Sequence, residues 1–377
     1  METLTRIPFS VSREIGAALA LVETHGIGPA TARLLVDRHG SALAALEQAP
    51  DSLDVPERER LRLAQAENRE SFPRRAERLA TLVQRQLPEG ARMVSYRGPG
   101  YPAQLCRLHD PPMVLWAQGP LPIAAPRAVA IIGTRSATEA GRRLARRIST
   151  ELASEGVRIV SGLAQGIDSE AHRGALDANG ETLAVLGSGL NFEYPRLNRQ
   201  LYAELRSRGV LLTEFAPTLR PAAHQFPQRN RIVAALCDAV LVVQAGAKSG
   251  ARITATHALD IGVDVLACPG PVDLPASEGC HSLLKDGAGL VTSAKDVLQA
   301  LGWNPPVRDD TTSNTDMNSI TVDGAAAAIV DRLSEGPACL DELAGLVGDS
   351  GRAAASLGRL EAFGYVRAGP GTTFERA

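Results

Sequence analysis

The stretch AVAIIGTRSATEAGRRLARRI, residues 128–148, carries the reading of the fold. It opens with five consecutive apolar residues, breaks at Gly133-Thr134-Arg135, and resumes with apolar residues at helical spacing from Thr138. A strand without polar alternation has to be covered on both faces, as a parallel strand lying between two layers of helices is. The same unit recurs. Apolar runs stand at 157–160, 182–186, 210–215, 239–243 and 263–267, with a short one at 289–291. Amphipathic segments at 168–178, 196–207, 228–237, 251–261 and 293–301 alternate with them. This alternation predicts an α/β fold whose core is an extended Rossmann-like parallel sheet.

In such a sheet ligands bind beyond the carboxyl ends of the strands, so the loops there name the candidate site. They contain Gly133, Thr134 and Arg135; Ser161, Gly162 and Gly166; Gly187, Ser188 and Gly189; and Lys248, Ser249 and Gly250. Small residues and hydroxyls ahead of helix N-termini leave N–H groups available to oxyanions. Four such loops on one edge predict a phosphate-bearing ligand. No G-x-G-x-x-G follows a strand, and Gly246-Ala247-Lys248-Ser249 lacks the glycine that opens a Walker A loop. A dinucleotide cofactor and ATP hydrolysis by that route are therefore disfavoured, and no cofactor is expected.

Asp168 and His172 lie four residues apart on one helical segment and share a face. An aspartate at a helix start is read as a cap, with His172 ordering the loop, in preference to an acid–base pair. Glu214 ends its strand in TEF and is read either as facing the pocket or as pairing with an arginine such as Arg229 or Arg231. Among the basic residues, Arg135 sits inside the first loop, whereas the four arginines of RRLARR, residues 142–147, form two stripes that read as a solvated helix face. Arg196 and Arg199 follow Phe192 and Tyr194, and LRPAAHQFPQRNR, residues 219–231 and read as a loop, supplies Phe226, Arg229, Asn230 and Arg231. Cations interleaved with aromatic rings suit a single nucleic-acid strand, whose phosphates are tracked while its bases stack.

Outward from the core the composition changes. Residues 1–88 read as a helical domain, in which Gly26-Ile27-Gly28-Pro29 is similar to the hairpin of a helix-hairpin-helix element or makes a tight turn in a small bundle. Residues 89–303 form the core domain, with a Pro- and Gly-punctuated entry in which Met113–Trp116 is a candidate extra strand. Residues 304–320 read as a linker, and 321–377 as three helices with a terminal hairpin, a winged-helix-like unit. Its apparent recognition helix offers only Arg352 and Arg359, so partner contact or docking is expected of it in preference to DNA binding.

The formal net charge of the 377 residues is −2, which hides a gradient. Basic and acidic residues balance in 1–88, the core holds 22 basic against 19 acidic, and residues 304–377 hold 6 against 11. Placement therefore has to decide what the total cannot. The five cysteines include no Cys-x-x-Cys pair, which predicts reduced thiols, and Cys280-His281 lacks further ligands, so no metal site is expected. No run of about 18 apolar residues and no signal-like N-terminus occur, which predicts a cytoplasmic protein without a membrane partner.

GTRSATEAG, SGLAQGIDSEAH, AVLGSGL with YP after a short gap, TEF, FPQRNRI, SGARITA, CPGPVD and LLKDGA occur in this order. Together they resemble the DprA/Smf family, the DNA-processing proteins of natural transformation. The resemblance implies a non-enzymatic homodimer, joined through the Rossmann-like core, that binds and protects incoming single-stranded DNA and helps load the recombinase RecA. It also implies that the Gly133-Thr134-Arg135 loop grips phosphate, that the Arg196 and Arg199 region lines the pocket, and that FPQRNR adds basic contacts. Gln244, Ala251-Arg252 and Cys280-His281 depart from the family pattern. The alternative is a nucleotide-binding enzyme similar to phosphoribohydrolases. Those carry PGG-x-GT-x-x-E where this chain reads AGAKSGARITA, with Thr254 and no glutamate. A protein adaptor acting through the acidic C-terminal unit is a third reading.

Overall fold

The computed structural model describes residues 9–48, 71–303, 324–334, 336–362, 366–369 and 373–376, with Pro56, Glu59, Leu63 and Glu67. The chain divides into two compact units, residues 1–304 and 305–377. The expected linker at 304–320 lies outside the described residues.

The first unit opens with helices α1 (Phe9–Glu23), α2 (Pro29–His39), α3 (Ala42–Gln48) and α4 (Phe72–Gln86). The Gly26–Pro29 hairpin joins α1 to α2: Gly26 turns with φ +82°, and Pro29 begins α2, where its missing N–H costs no hydrogen bond. The helices do not keep a core to themselves. Ile15, Leu35 and Phe72 belong to one buried cluster with Met93, Trp116 and Leu211, so packing is continuous across residue 88. Polar contacts reinforce it, since Asp37 of α2 accepts from the Tyr96 hydroxyl at 3.0 Å and pairs with Arg97.

The sheet has strands β1 (Ala91–Ser95), β2 (Val114–Gln118), β3 (Ala128–Gly133), β4 (Arg158–Ser161), β5 (Thr182–Val185) and β6 (Val210–Thr213). It continues with β7 (Ala239–Gln244), β8 (Asp264–Ala267) and β9 (Gly289–Leu290), in the order β1-β2-β6-β5-β4-β3-β7-β8-β9. From β6 to β9 every pairing is parallel. The strand expected near Met113–Trp116 exists as β2, and with β1 it adds an antiparallel edge beside β6. Successive residues of β3 face opposite sides: Val129 and Ile131 join one core with Ile148 and Leu152, while Ala130 and Ile132 join another with Ile232 and Val240. Each fully buried branched side chain of this kind contributes about 1.5–3 kcal/mol.

The covering helices are α5 (Glu139–Ser154), α6 (Ile167–Asp177), α7 (Arg199–Arg208), α8 (Gln225–Ala235), α9 (Ala251–Asp260), α10 (Glu278–Lys285) and α11 (Ala294–Ala300). From β3 the chain builds outward to β6 on one side, then returns to place β7, β8 and β9 on the other. That reversal opens a crevice beyond the carboxyl ends of β3, β4 and β7.

The second unit runs α12 (Gly324–Ser334), β10 (Ala338–Cys339), α13 (Leu340–Val347), α14 (Ser350–Ala362), β11 (Val366–Ala368) and β12 (Thr373–Arg376). Three helices and a terminal hairpin are thus present, with Ile329, Leu333, Leu343, Leu357 and Val366 as the core. Arg352, on α14, is exposed; the side chain of Arg359 lies outside what is described.

Candidate nucleic-acid interface

A cleft of about 390 Å³ occupies the crevice. The end of β3 supplies Ile132, Gly133, Thr134 and Arg135, the turn after β4 supplies Gly162, Ala164 and Asp168, and α8 supplies Phe226, Pro227, Arg229, Asn230 and Val233. Ser249, Gly250, Ala251, Ile253 and Thr254 close the side formed by the start of α9. The expected loops after β3, β4 and β7 therefore meet, and α8 joins them.

The Phe226–Arg231 segment is helical, where a loop was expected. Helix α8 begins at Gln225, so Pro227 falls in its first turn, a position that needs no intrahelical N–H. One consequence is that its arginines point inward. Arg229 is 4% exposed and donates to the carbonyls of Gly162, at 2.8 Å, and Val185. Gly162 has to be glycine for this: a Cβ there would stand 2.6 Å from the guanidinium. Arg231, 5% exposed, pairs with Glu214 at 2.6 Å and Asp110 at 3.1 Å. Of the two readings open for Glu214 the structure shows the arginine pair, and burial raises its pKa against the opposing pull of Arg231. Arg231 is a structural cation. Arg229 is the buried floor of the cleft, its pKa lowered by burial.

The backbone grips expected of the loops are largely occupied. Thr134 N–H donates to the Gln244 carbonyl at 2.7 Å, and Ser136 N–H to the Thr134 hydroxyl. Gln244, one of the departures from the family pattern, also accepts from Thr138 N–H through Oε1 at 2.9 Å and so closes the N-terminus of α5. Asp168 Oδ2 accepts the N–H groups of Gly162 at 3.2 Å and Ala164 at 3.3 Å. Asp168 therefore orders the turn after β4 and is not the cap expected of it, since Gly166, with φ +82°, stands at the cap position of α6. Burial raises the Asp168 pKa, opposed by Arg229 and by the two N–H donors.

Three further expectations are corrected. His172 does not order the loop. It is fully buried, bonds through Nδ1 to the Thr182 hydroxyl of β5 at 2.7 Å, and is held neutral by burial and by the charge of Arg229, its pKa lowered to about 3. Ser161 is buried and donates to the Ile131 carbonyl at 2.7 Å, which makes it a sheet brace. Gly187, Ser188 and Gly189 are buried too: Gly189 N–H donates to the Leu219 carbonyl, the Ser188 carbonyl accepts from Thr213, and Gly187 makes room for Phe226, since a Cβ there would lie 2.7 Å from the ring. Gly187 thereby seats the Phe226 ring, while Ser188 and Gly189 are taken up in holding the turn against Thr213 and Leu219.

What remains open to a ligand is side chain. Arg135 is exposed, makes no hydrogen bond or ion pair among the described residues, and lies 5.5 Å over the Phe226 ring. Tyr194, 46% exposed, extends the surface with its ring 5.5 Å from Phe226. Arg220 covers Phe192 at 5.6 Å in the same way. Asn230 lines the cleft and Lys248 is exposed beside Ser249 and Gly250. Arg196 and Arg199 do not line the cleft; both are exposed on the neighbouring segment, Arg199 facing Glu193 at 3.5 Å. Asn198 was not singled out by sequence reasoning. It is buried, and its Nδ2 donates to the Leu163 carbonyl at 2.8 Å, holding the β4 turn in place, but nothing in its sequence context distinguishes it from a surface asparagine.

The RRLARR helix face behaves as expected of a solvated one: Arg146 pairs with Asp177 at 2.6 Å, Arg143 with Glu139 at 3.5 Å, and Arg147 with Glu151 at 3.9 Å. Cys237, Cys268 and Cys280 are buried, with pKa values raised by burial, to about 12 for Cys268 and about 11 for Cys280. Among the described residues no cluster of His, Cys, Asp and Glu could hold a metal ion, and no helix is long and apolar enough to cross a membrane.

Comparison with known proteins places these features. Residues 12–71 match a DprA-like N-terminal HHH domain, and residues 92–302 match the family described as DNA recombination-mediator protein A. A DNA processing protein DprA of Mycobacterium tuberculosis is 46% identical over 239 residues, 63% of this chain and 61% of its own length. The protein Smf of Escherichia coli is 40% identical over 227 residues, 59% of this chain and 61% of its own length. The matched region thus spans about three fifths of these curated relatives. Among solved structures, DNA processing protein A of Streptococcus pneumoniae aligns with TM-score 0.63 at 30% identity, covering 75% of this chain and 97% of its own. That of Helicobacter pylori, reported for its single-stranded DNA binding mode, aligns with TM-score 0.51 at 30% identity, covering 56% and 95%. These proteins are named for DNA processing and recombination mediation, not for a catalysed reaction. With the recombination-mediator domain spanning more than half of its length, this chain belongs to the DNA recombination-mediator protein A family, the DprA/Smf proteins.

Proposed function

We propose that this chain binds single-stranded DNA at the cleft, with Arg135 taking phosphate and the Phe226–Tyr194 surface stacking bases. The observation that carries this reading is the exposed, unpaired Arg135 guanidinium lying over Phe226 at the switch point of the sheet. A cation beside an aromatic face suits a backbone phosphate next to an unpaired base, and stacking contributes about 1–3 kcal/mol per base. A duplex keeps its bases inside the stack and cannot use that wall. The Helicobacter pylori relative's single-stranded DNA binding mode supports the assignment. Beyond the cleft, Arg196, Arg199 and the Arg220–Phe192 pair offer a continuing track with Lys248, while Thr134, Ser249, Gly250 and Asn230 supply the cleft's remaining polar contacts.

In this reading the protein acts in DNA processing for recombination and natural transformation, as a cytoplasmic homodimer joined through the sheet-bearing unit. It shields the bound strand and helps load a RecA recombinase. The family membership and the relatives' names support the DNA-processing and recombination part of this role. The test is fluorescence anisotropy with a labelled oligonucleotide and its duplex over a range of salt. Preference for the single strand with affinity falling as salt rises is expected. Equal affinity for the duplex would overturn the cleft assignment.

A further inference from the structure

The floor of the cleft is chemically unlike its mouth. Asp168 is the one carboxylate among the described lining residues, and it is only 7% exposed. Its Oδ2 is spent on the N–H groups of Gly162 and Ala164, whereas Oδ1 makes no hydrogen bond among the described residues. Among the described residues no cation pairs with it either, because the neighbouring Arg229 directs Nη1 at the Gly162 and Val185 carbonyls. Unlike Glu214 Oε1 and Arg229 Nε, which are fully buried without a partner, Oδ1 opens on the cleft as an acceptor that no described protein group fills. A phosphodiester has no hydrogen to donate to it, and its charge would repel the carboxylate. The phosphate therefore belongs at the mouth with Arg135, and the group that descends past Phe226 has to present N–H donors.

A nucleobase does so on its Watson–Crick edge. Guanine offers two adjacent donors there, N1–H and the N2 amino group. Thymine offers one N3–H flanked by two carbonyl oxygens that the carboxylate repels, and adenine and cytosine pair one amino donor with a ring-nitrogen acceptor. A cleft of about 390 Å³ has room for a nucleobase, with Phe226 and Val233 as its apolar walls. We propose that Asp168 is a specificity-determining residue that reads the Watson–Crick edge of a single unstacked base in the cleft and selects guanine. This rests on the single-strand reading above and adds a base preference to it.

The test compares labelled dT octamers that carry one central dG, inosine, dA, dC or dT, bound to the full chain at one salt concentration. The dG oligonucleotide is expected to bind about tenfold more tightly than all-dT, with guanine N1–H and the N2 amino group both donating to the one open oxygen, Oδ1. Inosine, which keeps N1–H but lacks the amino group, should fall between. Asp168→Asn keeps one oxygen for the Gly162 and Ala164 N–H groups and replaces the free acceptor by a donor. Its dG-to-dT affinity ratio should collapse to about one, with a melting curve recorded alongside to confirm that it folds. Binding of all five oligonucleotides with equal affinity by the unaltered protein overturns the inference and leaves the single-strand reading standing. An unchanged dG-to-dT ratio in Asp168→Asn overturns it as well. If none of the oligonucleotides binds, the single-strand reading fails and the inference with it.

Discussion

Two neighbouring regions of this molecule are rich in arginine and use it in opposite ways. The outer face of α5 concentrates four arginines in six residues, yet Arg143, Arg146 and Arg147 are each matched with a carboxylate. The cleft just before α5 exposes one arginine, Arg135, without a partner among the described residues, stacked on a ring. Local charge density would place a polyanion on the helix, whereas pairing places it at the cleft. A cation that has already met its carboxylate has little attraction left to offer, and an exposed pair of this kind contributes only about 0–1 kcal/mol to stability.

The comparison extends inward, where α8 spends its arginines on structure. The largest expected effect is accordingly one of stability. Glu214→Ala removes the closer carboxylate of a buried cation and should cost about 3 kcal/mol, read as a lowered denaturation midpoint. A midpoint unchanged from the native protein would show that Asp110 alone satisfies Arg231.

His172 sharpens the same contrast through pH. Its folded pKa, near 3, lies below the ordinary value, so the unfolded chain binds the extra proton between the two. The stability this neutral residue contributes is present above about pH 6.5 and is lost as pH falls toward 3, by up to about 1.4 kcal/mol per pH unit. Denaturant titrations over that window should show the slope, and His172→Gln should flatten it. An equally steep curve for the variant would place the titration elsewhere.

Phe226→Ala removes the stacking wall and should weaken single-strand binding by about tenfold, within the range of one base–aromatic stack, with little change in the slope of affinity against salt. A changed salt slope with unchanged low-salt affinity would mean that the ring merely positions Arg135. The smallest effect belongs to the helix face, where Arg143→Ala should alter stability by less than about 0.5 kcal/mol in the same titration.

Much of this architecture is legible in the sequence. Each continuous apolar run from residue 128 onward became a parallel strand, because a two-sided burial pattern has few other solutions. β1 escaped notice because ARMVS alternates too briefly to stand out, and it is stabilised by pairing with β2, a contact distant in sequence. The site was legible as a place and less so as a set of roles. Loop composition located the crevice, and Arg135, Asp168 and Asn230 do line it. It could not show that Ser161 and the Gly187–Gly189 turn are buried, or that Gln244 and Asp168 occupy backbone N–H groups otherwise open to phosphate. Those outcomes depend on partners over 20 residues away or on which way a helix turns its face. Arg229 and Arg231 make the point, since their positions on α8 follow from Pro227 lying in the first turn.

The central claim is that an unpaired arginine on an aromatic face, and not the densest run of arginines, holds the strand. Anisotropy with one labelled single strand at one salt concentration, comparing the unaltered chain with Arg135→Ala and Arg147→Ala, tests it most directly. The account predicts a loss of tenfold or more for Arg135→Ala, roughly 1.4 kcal/mol, and a change within about twofold for Arg147→Ala. Equal losses in the two variants, or the larger loss in Arg147→Ala, would contradict it.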